Sequence, residues 1–157
     1  MELRDPSQSG SERMGSFGVD TNKRAVTEEQ VHLFIRTFVN RWEAPFPIQN
    51  SDGSYTYVLR TLERKHVRMH LEGKLTLGLL VGEDGKTKFG VVDIDCAIPD
   101  VITAVWEKCY EFGLSYFTVF SGRKGYHVIV LFDKPTDAKK AEAVMKLVGG
   151  EHEIWPR

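Results

Sequence analysis

Cysteine is scarce in this chain: Cys96 and Cys109 are the only two among 157 residues. Two cysteines build neither a disulfide framework nor a zinc-like cluster, and such sparing use fits a reducing cytoplasm. An excess of positive charge is also missing. Lys and Arg total 21 against 22 Asp and Glu, for a net charge of −1. The chain as a whole therefore has no basic field for nucleic acid, and any such binding must come from local patches. No apolar run approaches the length of a membrane span. The first residues carry no apolar h-region, which predicts no secretory signal. The Gly-x-x-x-x-Gly-Lys-Ser/Thr pattern of a Walker loop is absent as well.

What remains is ordinary globular material. Hydrophobic residues make up 41% and charged residues 27% of the chain, and its length suits one domain with a sizeable core. Residues 1–25 are rich in Ser, Gly and charge and bury too little surface to order themselves, so they are expected to form a flexible tail. Residues 26–157 are expected to form the folded domain.

Two short patterns carry the chemistry. The first is Val91-Val92-Asp93-Ile94-Asp95, preceded by Phe89. Its apolar, β-branched residues predict a largely buried strand. Side chains alternate along a strand, so Asp93 and Asp95 share a face. Two like charges there repel, and burial adds a desolvation cost. A hard divalent cation such as Mg²⁺ or Mn²⁺ offsets both, because carboxylate oxygens suit it. The plainer alternative is that the strand ends at Val92 and the aspartates cap the following turn.

The second pattern is Ser121-Gly122-Arg123-Lys124-Gly125-Tyr126-His127, set between the strand-like runs Tyr116–Phe120 and Val128–Phe132. Two glycines permit φ > 0 and leave amide N–H groups uncovered. Arg123 and Lys124 add positive charge, Ser121 a hydroxyl and His127 an imidazole at the start of a strand. That combination suits phosphate oxygens. The alternative is a glycine-containing hairpin with a solvated Lys-Arg tip.

Thr27 to Gln30 reads as a capping box. Val31, Phe34, Ile35, Phe38, Val39 and Trp42 then recur at helical spacing as a core stripe. Ala44 to Ser54, with Pro45, Pro47 and Gly53, reads as a loop. Arg60, Arg64, Lys65, Arg68 and His70 decorate a shorter helix ending at Gly73. They form either a solvated face or a surface for template phosphates. Leu75–Val81 and Lys88–Asp95 flank Gly82-Glu83-Asp84-Gly85 and predict an antiparallel hairpin. Ile98–Phe112 and Pro135–Val148 read as helices, and Glu151–Arg157 begins a further strand. The fold expected is α+β, with an antiparallel or mixed sheet carrying helices on one face as a two-layer solution.

Asp-x-Asp on a strand, then a helix, then Ser-Gly-x-x-Gly-x-His between two strands, resembles the archaeo-eukaryotic primase superfamily. The likeness is closest to the primase-polymerase domains of the TOTE type. His70–Gly78 resembles the family's segment leading to the Asp-x-Asp strand. Glu153-Ile154-Trp155-Pro156-Arg157 resembles its acidic-apolar-aromatic-Pro-basic segment. The resemblance covers Val31 to Arg157, and it implies an RRM-like sheet with a mostly helical N-terminal part packed beside it.

It implies a template-dependent nucleotidyltransferase, a DNA primase or primase-polymerase, joining nucleoside triphosphates to a 3′-hydroxyl on DNA or RNA with Mg²⁺ or Mn²⁺. A helicase or another replication or defence protein is the implied partner. Asp93 and Asp95 map onto metal ligands, and Glu153 onto a third, with Glu151 two residues earlier kept open. Ser121, Lys124 and His127 map onto the phosphate loop. Family members usually continue past the Pro-basic segment, which leaves a non-catalytic nucleotide- or nucleic-acid-binding fragment as an alternative. Another Asp-x-Asp enzyme, a glycosyltransferase or nuclease, is the second alternative.

Overall fold

The computed structural model describes residues 25–42, 45–80, 85–96, 98–121 and 125–156. The expected N-terminal tail and the expected turn over Gly82-Glu83-Asp84 thus fall outside the described residues, apart from Ala25. The architecture is α+β, with a four-stranded and a three-stranded sheet, both antiparallel.

The first helix, α1 (Glu28–Phe38), starts where the capping box predicts. Thr27 Oγ1 accepts the Gln30 N–H at 3.2 Å, and Gln30 Oε1 accepts the Thr27 N–H at 2.9 Å. The segment expected as a loop instead holds β1 (Phe46–Gln49), which turns back into β2 (Tyr55–Val58). Pro47 sits inside β1 without breaking it. Its carbonyl still accepts the Gly78 N–H at 2.8 Å, and its missing N–H falls where pairing with the next strand has ended, beyond Ile48. Next come α2 (Arg64–Leu71) and the two-residue β3 (Thr76–Leu77). Arg60 therefore precedes its expected helix.

Among the described residues, the hairpin expected from Leu75–Val81 and Lys88–Asp95 does not form. β3 pairs with β1, because Leu77 belongs to the apolar core of the N-terminal unit with Val31, Val39, Phe46, Leu62 and Val67. That unit is accordingly two helices around a small sheet rather than mostly helical.

The larger sheet is built from β4 (Lys86–Ile94), β5 (Ser115–Phe120), β6 (Tyr126–Asp137) and β7 (Glu153–Trp155). Helices α3 (Pro99–Glu111) and α4 (Ala138–Gly149) join β4 to β5 and β6 to β7. The spatial order β5-β6-β4-β7 makes this a β-α-β-β-α-β split unit, the RRM-like arrangement. β6 runs five residues further than the predicted strand end at Phe132, and its last residue, Asp137, caps α4 by accepting the Lys139 and Lys140 N–H groups.

One sheet face is the core. Val92, Ile94, Val128, Val130 and Ile154 pack there against Ile102, Val105, Cys109, Met145 and Val148 of the helices. Fully burying each of these contributes about 1.5–3 kcal/mol. α4 lies close because Gly149 offers no Cβ. One added there would come within 2.6 Å of Ile154 Cγ2. On the opposite face α1 covers only one end, where Phe38 meets Phe89 at 5.5 Å and Phe117 at 6.0 Å between ring centres. Among the described residues, the Asp93 end of that face stays partly exposed.

Candidate active site

Strand register assembles the site. Asp93 pairs with His127 of β6 on one side and with Glu153 of β7 on the other. His127 in turn pairs with Val119 of β5. Directly opposed residues in antiparallel strands share a face. The flanking residues Val92, Ile94, Val128 and Ile154 are buried toward the helices, so Asp93, His127 and Glu153 project from the open face. His127 Nε2 lies 3.4 Å from Asp93 Oδ1, with both side chains about one-third exposed (39% and 31%). Glu153 is exposed at the edge. Asp95 follows the last residue of β4 and is exposed. Glu151 precedes β7 in a turn and has no place in its register.

The loop after β5 is anchored beside this row. The Ser121 N–H donates to the Gly125 carbonyl at 2.9 Å, and the Gly125 N–H donates back to Ser121 Oγ at 3.2 Å. This reciprocal pair closes the base of the loop. Gly125 is buried against the end of β4, where an added Cβ would fall on the Ile94 carbonyl and lie 3.1 Å from Asp95 Cα. Only glycine lets the loop base sit there. The base of the loop and the end of the aspartate strand are thereby in direct contact. Gly122, Arg123 and Lys124 lie outside the described residues, so two of the four expected phosphate-binding residues have no described position. The reciprocal Ser121–Gly125 closure was missed in the sequence. Its signal was there: a serine four residues before a glycine, at the two ends of a hairpin loop.

Asp93 and Glu153 face each other across the ladder, and like charges so placed are destabilising. The donors are hard oxygens on one open face, with an imidazole beside them. That set suits a hard divalent cation. Among the described residues, no three His, Cys, Asp or Glu side chains are already gathered closely enough to hold a metal ion.

Three basic residues of α2 are engaged elsewhere. Arg64 bonds Glu28 at 3.1 Å, Arg68 bonds both Glu28 and the Val26 carbonyl, and Lys65 bonds Glu63 at 2.9 Å. The Arg64 and Arg68 guanidinium groups hold the Glu28 carboxyl below its usual range. Two of the five bases considered for template phosphates thus tie α2 to the start of α1. His70 is half-buried beside Phe34 and accepts the Leu77 N–H at Nδ1 (3.3 Å); burial pushes its pKa down.

The result is an RRM-like antiparallel sheet with Asp93, Glu153 and the His127 imidazole on its open face. Residues 27–153 match the family model of the archaeo-eukaryotic primase domain of the TOTE conflict system, and the chain belongs to this family. Membership supports a primase-like nucleotidyltransferase function in general. No curated protein matches the chain. Among the described residues, no helix is long and apolar enough to cross a membrane.

Proposed function

We propose that this chain joins nucleoside triphosphates to the 3′-hydroxyl of a primer in a template-dependent reaction that uses Mg²⁺ or Mn²⁺. The observation that carries the reading is the register: Asp93 is flanked by His127 and Glu153 on one open face, with the loop base locked against the end of the same strand. Asp93, Asp95 and Glu153 are the residues that would hold the metal. A divalent cation held there would supply charge to neutralise the triphosphate and to favour ionisation of the attacking hydroxyl.

The chain's own groups do the rest. His127 offers its imidazole to a phosphate oxygen from a rigid strand, and Asp93 at 3.4 Å orients the ring. Ser121 accepts the Gly125 N–H through its oxygen, which leaves its own proton to donate. Arg123 and Lys124 add positive charge to the same loop. The buried Val92, Ile94, Val128 and Val130 side chains fix Asp93 and His127 before substrate arrives, which is how positioning lowers a barrier.

The test is incorporation of labelled nucleotides on a primed template by the full chain with Mn²⁺ or Mg²⁺, alongside Asp93→Ala and a chelator control. Metal-dependent extension by wild type alone supports the reading. Metal-dependent nucleotide binding with no extension would assign the non-catalytic alternative instead. A preference for a sugar nucleotide, or cleavage of DNA, would point to the other Asp-x-Asp chemistries.

A further inference from the structure

The two edges of the larger sheet differ. β7 is short, carries Glu153 and is followed by Pro156, features that discourage further strand pairing. β5 has none of these. Its sequence Ser-Tyr-Phe-Thr-Val-Phe has no charge and no proline, and all six residues pair with β6 without a bulge. Among the described residues nothing pairs with its outer edge. A long, regular, uncharged edge is a template for another strand.

The helix beside it is equally bare. Pro99, Thr103, Trp106 and Tyr110 recur along α3 at three- and four-residue spacing, all are exposed and none is charged. This stripe faces the β5 edge, because Trp106 Nε1 donates to Thr118 Oγ1 at 2.8 Å. Tyr110 is 85% exposed and Phe120 56%, while Trp106, Tyr116 and Phe117 are more than one-third exposed. Taking about 200 Å² for a fully exposed aromatic side chain, these five leave roughly 500 Å² of apolar surface per copy.

We propose that β5 is a homodimer edge: two copies of this chain pair β5 against β5, antiparallel, about a two-fold axis at Thr118. Both open faces must lie on the same side of the joined sheet, so residues of like parity oppose. With Thr118 facing Thr118, Tyr116 opposes Phe120 and Phe117 opposes Val119, each twice. Aromatic–aromatic, aromatic–β-branched and Thr–Thr pairs are favourable cross-strand partners. The absence of charge is what favours a second copy, since self-pairing then sets no like charges against each other. Two contributions of roughly 500 Å² reach the ~1,000 Å² expected of a specific interface, before the backbone ladder is counted. The product is one eight-stranded sheet. Its two Asp93 residues lie five strand spacings apart, about 24 Å, on a shared face.

Sedimentation analysis of the full chain across micromolar to millimolar concentration tests this. A concentration-dependent dimer is expected, with the dissociation constant raised at least tenfold in Tyr110→Glu, which lies on the helix surface and leaves the fold intact. Thr118→Cys should then cross-link to itself under mild oxidation, and wild type should not. A chain monomeric throughout overturns the proposal, whether another protein, another segment of the chain or nothing covers the edge. So does a dimer that Tyr110→Glu leaves unchanged and Thr118→Cys fails to cross-link. Circular dichroism of each variant separates lost pairing from lost fold.

Discussion

Replacing Gly125 with alanine probes the joint between loop and aspartate strand. The new Cβ would fall on the Ile94 carbonyl, and its neighbours there are backbone, not the flexible end of a side chain. Ile94 cannot retreat, since it is fully buried in the main core. The base of the loop must therefore lift away from β4, or β4 must bend at Asp95. Overpacking of this kind costs about 1–3 kcal/mol. At roughly 3–4 °C per kcal/mol for a chain of this size, the melting midpoint should fall by about 3–12 °C. Displacement at the junction of Asp95 and the loop by a fraction of an ångström should also cut nucleotide incorporation by more than the stability loss explains, because positioning errors cost rate steeply. Gly113→Ala is the control. Gly113 has φ 63° with no atom within 4 Å of an added Cβ, so alanine there pays only the left-handed backbone cost of about 1–2 kcal/mol. It should lower stability and leave activity per folded molecule unchanged. Calorimetry and primer extension on both variants decide the matter. A Gly125→Ala protein as stable and as active as wild type would refute the packing account of the site.

Other expectations follow from the same geometry. Asp93→Ala should abolish metal-dependent nucleotidyl transfer while moving the metal-free unfolding free energy by no more than about 1 kcal/mol, since a like-charge opposition to Glu153 disappears along with the His127 contact; retained transfer would remove Asp93 from the site. Lys124→Ala and His127→Ala should each weaken triphosphate binding tenfold or more, a charge-assisted contact being worth about 1.5–3 kcal/mol, and equal affinity by calorimetric titration in both would sink the phosphate role. Stability should fall as pH drops below about 6.5, the ordinary histidine value. Burial depresses the folded pKa of His70, so the unfolded chain takes up the proton first, and the loss continues down to the folded value. His70→Asn should flatten that slope in urea titrations from pH 5 to 8 while keeping an acceptor for the Leu77 N–H. His66, lowered chiefly by burial too, leaves part of the slope in place.

Much of the sheet was legible from local pattern. The β-branched run through Val92 and Ile94, the helical spacing of Ile102 and Val105, and the strands on either side of the Ser121–Gly125 loop all appear where the sequence places them. Alternation alone put Asp93 and Glu153 on predictable faces. The N-terminal sheet was hidden because its pairings are distant and its residues ambiguous. Pro45 and Pro47 bracket Phe46 and read as loop, yet Phe46 is buried and Ile48 pairs across almost thirty residues with Leu77. β3 has only two residues, too few for a periodic signal. The expected hairpin failed for the same reason. A turn between two apolar runs predicts pairing between neighbours, and here the first run had a better partner behind it. The uses of Arg64 and Arg68 were equally unreadable, since a basic helix face looks the same whether it meets phosphate or Glu28.

Asp93 sits near the end of β4 between Val92 and Ile94, which are wholly inside. A slip of one position along either neighbouring strand would exchange these roles, turning carboxylate inward and valine outward. An uncompensated charge in that interior costs several kcal/mol, a large part of the stability of any domain. Misaligned chains therefore cannot persist as folded but inactive molecules; they melt. The acidic residue that would serve the chemistry also acts as a ruler during folding, and each molecule that survives has already checked its own alignment.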